Sequence, residues 1–217
     1  MPAIKTVLFD LDGTLVDTAP DMAAALDILC VEENQPAIPY EQVRPVVSNG
    51  SAALIKLAFG EVNDEIRLQH LKQRYLDIYQ HNICIDSSPF KGIETVLDHI
   101  ERNGLNWGVV TNKPGWLTLP LMDSLQLVQR AATIVSGDTT ENSKPHPDPM
   151  HHACDEASSK SDECIYVGDA RRDIEAGINA GMKTLVANYG YIETNEDVNT
   201  WGADAIINTP EEILLHL

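Results

Sequence analysis

The sequence predicts an α/β fold: a mainly parallel sheet with helices on both faces, interrupted early by an all-helical insert. Two observations predict it. Short β-branched runs alternate with segments of helical periodicity along most of the 217 residues, the pattern of repeated βαβ units. Residues 17–88 break that alternation and carry helical periodicity alone.

The first run, "IKTVLFD" (4–10), reads as a strand, and the insert follows it. "DTAPDMAAALDILCVEEN" opens with Thr18 and Asp21 at capping-box spacing, and Met22, Ala25, Leu26 and Leu29 then share one stripe. "GSAALIKLAF" (50–59) predicts a second helix. A third runs over 63–82, with Leu71, Tyr75, Ile78 and Tyr79 on one face. The insert ends over 86–92, where Ser87-Ser88-Pro89 and Gly92 read as a linker. Beyond it, strands over 106–111, 132–136, 164–168, 183–187 and 204–207 alternate with helices over 93–102, 116–125, 148–157, 173–180 and 211–215. The expectation is a Rossmann-like, doubly wound core made of residues 1–16 and 89–217, with residues 17–88 as an inserted helical cap domain. No internal repeat or low-complexity segment interrupts it.

Composition limits the function classes. Lys and Arg number 15 against 33 Asp and Glu, a formal net charge of −18. That balance argues against nucleic acid or an anionic membrane as partner, since both need a basic patch. Cys30, Cys84, Cys154 and Cys164 form no CxxC pair and suit reduced thiols, with Cys30 and Cys164 expected in the core. The N-terminus has neither a signal-peptide nor a membrane-span pattern, so the expected location is cytoplasmic. The expected assembly is a monomer or homodimer.

The chemistry starts at "VLFDLDGTLVDT" (7–18), where an apolar strand runs into Asp10 and Asp12. Unpaired carboxylates at a buried strand end are costly, so they need a cation or a hydrogen-bond cradle. Two residues apart, they share a face. In a parallel sheet the carboxyl ends of the strands form the ligand-binding edge. Three further features end strands there: Thr111-Asn112 after "WGVV", Lys144 before "PHPDP", and Asp169 in "VGDARRD" with Asp173 four residues on. Carboxylates with phosphate and water oxygens suit Mg²⁺. Asp173 has a rival role as the N-cap of the next helix. His151 and His152 are adjacent, do not face one another on a helix, and read as a solvated face.

These residues resemble the haloacid dehalogenase-like hydrolase superfamily, in its phosphatase branch. "DLDGT" matches DxDGT, Thr111 the second motif, Lys144 the third and "GDARRD" the GDxxxD fourth, in that order over residues 10–173. The insert lies where that family carries a helical cap. Ala170 departs from the pattern, since many relatives have an acid or serine there. The resemblance implies a Mg²⁺-dependent phosphatase acting on a small phosphorylated metabolite. Asp10 would be the nucleophile that forms an aspartyl-phosphate, and Asp12 the acid and base. Mg²⁺ would be held by Asp10, Asp169 and the backbone carbonyl of Asp12. Lys144, Thr111 and Asn112 would bind phosphate, with Asp173 outside the metal's ligands. In the cap, Arg44 and the polar turn Ser48-Asn49-Gly50 would choose the substrate, Arg44 meeting a carboxylate. Diffuse similarity in "VVSNG", "WGVVTNKP" and residues 189–204 ranks N-acetylmuramic acid 6-phosphate first as substrate and 2-phosphoglycolate second. A sugar-phosphate mutase is the enzymatic rival. A phospho-accepting signalling receiver is the non-enzymatic one, although receivers lack both DxDGT and the insert. A dehalogenase is disfavoured because Asp12 supplies an acid for an alcohol leaving group.

Overall fold

The computed structural model describes residues 3–217. After β1 (Thr6–Phe9) and the short β2 (Val16–Asp17) come α1 (Ala19–Glu32), α2 (Tyr40–Val43), a 3₁₀ helix (Arg44–Asn49), α3 (Gly50–Phe59) and α4 (Glu65–His81). The chain returns through β3 (Ser88–Pro89) to α5 (Ile93–Arg102), β4 (Asn106–Val110), α6 (Gly115–Ser124) and β5 (Thr133–Val135). Next are α7 (Asp148–Glu156), β6 (Cys164–Gly168), α8 (Arg171–Ala180), β7 (Lys183–Ala187) and β8 (Ala205–Ile207), then a 3₁₀ helix (Pro210–His216).

Six strands form one parallel sheet in the order β5-β4-β1-β6-β7-β8. β1 is central and buried on both faces, and its alternating side chains divide the core. Val7 and Phe9 pack with Trp107, Val109, Ile165 and residues of α5 and α6, whereas Leu8 packs with Val110, Tyr166 and residues of α7 and α8. A strand covered on both faces needs apolar residues at every position, which is why "VLF" is continuous and not alternating. Cys164 is buried in the second of these cores and Cys30 in that of the helical insert, as expected.

Helices α1, α3 and α4 have a core of their own, built from Leu26, Leu29, Leu54, Ile55, Leu71 and Tyr75 among others. Two chain crossings join this helical unit to the sheet, and they pair as the antiparallel β2–β3 ribbon. Asp21 fastens the return crossing: its carboxylate accepts the N–H groups of Ile85, Asp86 and Ser87 at 2.9–3.0 Å and the Ser87 hydroxyl at 2.6 Å. The capping box expected at Thr18 and Asp21 is therefore absent, because both side chains are spent elsewhere. Thr18 makes no cap hydrogen bond and its hydroxyl donates to Asp12.

Other differences are local. The expected polar turn at residues 48–50 ends a 3₁₀ helix that leads straight into α3. The helix expected over 173–180 starts at Arg171, and the one expected over 211–215 is 3₁₀. The linker at 86–92 contains β3.

Candidate active site

Three neighbouring strands, β4, β1 and β6, deliver Thr111, Asp10 and Asp169 to one edge. Asp10 and Thr111 each add one more backbone bond past their strand, donating to Val167 O and Val135 O at 2.9 Å. Rigid ladders thus aim these side chains. Asp10, Asp169 and Asp173 are buried, and carboxylate oxygens of the three lie within 4.8 Å of one another.

Lys144 reaches this cluster from the segment before α7. Its buried ammonium donates to Asp10 Oδ1 (2.8 Å), Val110 O (2.9 Å) and Tyr166 OH (2.8 Å), and lies 2.7 Å from Asp173 Oδ1. Burial alone would lower its pKa, but the carboxylates of Asp10 and Asp173 hold it above the ordinary lysine value. Burial, then the charges of Asp10 and Asp173, push Asp169 up to about 7. Asp173 is raised by burial, a shift that Lys144 opposes. Asp173 is not the N-cap: it sits in the first turn of α8 and accepts the Ala170 N–H at 3.0 Å.

Around Asp169 the packing is close. Oδ2 accepts the Ser48 hydroxyl (2.9 Å) and the Tyr191 N–H (2.8 Å). Gly13 passes beside it with φ of 86°, and a Cβ there would fall 2.1 Å from Asp169 Oδ2. The glycine of "DLDGT" is required by both its backbone conformation and this approach.

Asp12 stands apart from the cluster. Its Oδ1 accepts Lys113 Nζ at 2.8 Å and the Thr18 hydroxyl at 2.7 Å, and the same ammonium donates to Tyr79 OH of α4 at 2.9 Å. Thr111 is buried, and its hydroxyl accepts the Lys113 N–H. The Asn112 side chain clamps the backbone of Lys144, donating to its carbonyl and accepting its N–H, both at 3.0 Å. The amide expected to grip phosphate is thus committed to holding the Lys144 segment.

A cavity of about 460 Å³ opens between the sheet edge and the helical unit. Asp10, Asp12, Thr111, Lys113 and Arg172 line one side, and Ser48, Asn49, Gly50, Lys72, Tyr75 and Tyr79 line the other. Arg44 does not line it. Its guanidinium donates to Gly190 O (3.0 Å) and Tyr189 O (3.4 Å) and lies 4.8 Å over the Tyr191 ring, so it ties the 3₁₀ segment to the loop after β7.

Residues 7–187 match the family model described as haloacid dehalogenase-like hydrolase. The chain belongs to this family. It is 40% identical over 211 residues to an N-acetylmuramic acid 6-phosphate phosphatase of Pseudomonas aeruginosa, covering 97% of this chain and 93% of that one. It is 39% identical to a phosphoglycolate phosphatase of Xanthomonas campestris pv. campestris, covering 96% and 94%. A crystal structure of a predicted phosphoglycolate phosphatase from Haemophilus somnus superposes with a TM-score of 0.88 at 25% identity, over the full length of both chains. The protein is a haloacid dehalogenase-like phosphatase, an enzyme, and the receiver reading is set aside.

In this haloacid dehalogenase-like phosphatase the expected residues Asp10, Asp12, Thr111, Lys144, Asp169 and Asp173 come to one region, with Ser48, Asn49 and Gly50 across the cavity. Two members had no signal strong enough to find them. Lys113 lies in "TNKP", where a lysine in a loop looks solvated. Arg172 lies in the x positions of "GDARRD"; it donates to Ser48 O at 2.6 Å, and its charge faces Asp173, Asp10 and Asp169. The three buried carboxylates offer only hard oxygen donors, and such a set fits a divalent cation. Among the described residues no helix is long and apolar enough to cross a membrane.

Proposed function

We propose that this phosphatase hydrolyses N-acetylmuramic acid 6-phosphate, using Mg²⁺ and a phospho-aspartate on Asp10. The observation that carries the substrate is the cavity. At about 460 Å³ this open cleft has room for a ligand of many atoms, more space than a two-carbon acid fills. The 40% identity to a phosphatase named for that sugar phosphate supports the same reading.

Asp10 is placed for attack on phosphorus. It lies at the end of the central strand, its Oδ1 is held by Lys144, and it borders the cavity. Asp12 gives a proton to the departing ester oxygen, which leaves as an alcohol, and then takes one from the water that attacks the phospho-aspartate. Lys113 and Thr18 hold its Oδ1 and so fix the direction of its carboxylate. Thr111 and Lys144 bind phosphate oxygens, and Arg172 adds a cation on the cavity side. Residues Asp10 and Asp169 and the Asp12 carbonyl would hold Mg²⁺, with Asp173 orienting Lys144. Bound there, Mg²⁺ would neutralise charge spread over the transferred phosphoryl group. Residues 17–88 act as a cap over a core of 1–16 and 89–217, excluding water when they close. Cytoplasmic location belongs to the same reading.

Turnover of a phosphate-ester panel by the purified protein tests it. The panel should contain N-acetylmuramic acid 6-phosphate, 2-phosphoglycolate, glucose phosphates and an aryl phosphate. The highest kcat/KM is expected for the first. The 39% identity to a phosphoglycolate phosphatase makes 2-phosphoglycolate the chief competitor, and a higher kcat/KM for it would overturn the assignment. Transfer of phosphate between positions of a sugar, without release, would indicate a mutase.

A further inference from the structure

The geometry points to Lys72 on α4 as the residue that selects a carboxylate on the substrate, at the end of the cavity away from the reacting phosphate. This inference rests on the sugar phosphate reading above and names the group that recognises its acidic arm.

Three cationic side chains line the cavity: Lys113, Arg172 and Lys72. Lys113 is held by Asp12, and Arg172 faces the three-carboxylate cluster. Lys72, half-buried, forms no ion pair among the described residues, so its charge is available to a ligand. The chain carries a net charge of −18, and a second negative charge on a substrate is repelled unless a local cation meets it.

Helix α4 also acts as a ruler. Tyr79 accepts a hydrogen bond from the ammonium that holds Asp12, so Tyr79 marks the reacting end. Lys72, Tyr75, Leu76 and Tyr79 all face the cavity, at the spacing of one helical stripe. Lys72 precedes Tyr79 by seven residues, two turns, or about 10 Å along the axis. In 2-phosphoglycolate three bonds separate phosphorus from the carboxyl carbon, a reach of about 4 Å at ordinary bond lengths. In a hexose 6-phosphate bearing an acidic ether at carbon 3, eight bonds run between them, a span of about 8–10 Å across the ring. The longer acid matches the two-turn spacing from Tyr79 to Lys72, and the shorter one spans less than half of it. Between the two ends of this stripe lie Tyr75 and Leu76, a surface suited to a sugar ring.

The test compares two substrates that share a ring and a phosphate and differ in the carboxylate: N-acetylmuramic acid 6-phosphate and N-acetylglucosamine 6-phosphate. Lys72→Met keeps the apolar stem and removes the charge. It should cut kcat/KM for the carboxylated sugar by about 10- to 100-fold, the scale of one charge-assisted hydrogen bond, and mostly through KM. N-acetylglucosamine 6-phosphate and an aryl phosphate should change less than about twofold, and Lys72→Arg should restore most of the loss. Equal losses on both sugars, or no loss on either, would overturn the role of Lys72. A wild-type enzyme that prefers 2-phosphoglycolate would instead overturn the substrate reading. The role of Lys72 would still be decided on the same pair of sugars, because the shorter acid does not span the two turns from Tyr79 to Lys72.

Discussion

Asp10 and Asp12, two residues apart, are held by different lysines, a difference that fits the separate roles proposed for them. Lys144 bonds Asp10 inside the carboxylate cluster, whereas Lys113 bonds Asp12 outside it. Asp10→Asn should abolish turnover with an unchanged circular dichroism spectrum, because an amide is not a competent nucleophile. Asp12→Ala should slow esters of ordinary alcohols more than an aryl phosphate, whose leaving group needs little protonation. Comparing the two in single-turnover and burst experiments separates the first step from release of the phospho-aspartate. Lys144 also has a structural part. Lys144→Met would leave Asp10 and Asp173 buried without their shared cation, and breaking such a pair typically costs about 3–5 kcal/mol. Urea unfolding of the metal-free variant measures that cost directly. Asp10, Asp12 and Asp169 were legible in the sequence because each ends an apolar run, where a charge needs a reason, and Lys144, in a polar stretch, was legible only by its place in the order of motifs. Lys113, in a loop, and Arg172, in the first turn of α8, were not, because a basic residue in such a place looks the same whether it meets water or a buried acid.

At the scale of elements, the 3₁₀ helix Arg44–Asn49 connects the helical unit to the sheet edge at two points. Ser48 donates to Asp169, and Arg44 grips the carbonyls of Tyr189 and Gly190. Sequence reasoning gave Arg44 to the substrate's carboxylate, because a cation beside a polar turn is a natural anion site. The structure spends that cation on backbone carbonyls and on the Tyr191 face. Arg44→Ala should therefore lower kcat/KM on every phosphate ester alike, including the aryl phosphate, by about tenfold, the worth of one charged hydrogen bond. A loss confined to carboxylated substrates would return Arg44 to recognition. The helices themselves were mostly legible. Their apolar stripes survive in the packing of Leu71, Tyr75, Ile78 and Tyr79. The Thr18–Asp21 capping box failed for a specific reason: Asp21 closes the return crossing at residues 85–87, more than sixty positions away, and no local pattern encodes that partner.

For the whole molecule, the metal is the decisive experiment. Three carboxylates meet in one buried site beside Lys144, within a chain whose net charge is −18. Chelation should abolish turnover, and Mg²⁺ should restore it while raising the thermal midpoint of the chelated protein. Ca²⁺, larger and less exacting in geometry, should restore little activity. Full activity after exhaustive chelation would remove the metal from the mechanism. The sequence by itself determined the parallel α/β core, the place of the helical insert and the acids at the strand ends. Those are set by local periodicity and by the cost of burying charge, both of which can be read along one stretch of chain. Only the tertiary structure decided what each cation meets: Lys113 with Asp12, Arg44 with backbone carbonyls of the loop after β7, Lys144 with Asp10 and Asp173, and Lys72 with no acid among the described residues. Such pairings depend on distances between segments far apart in sequence, and a charge carries no mark of its partner until folding brings the two together.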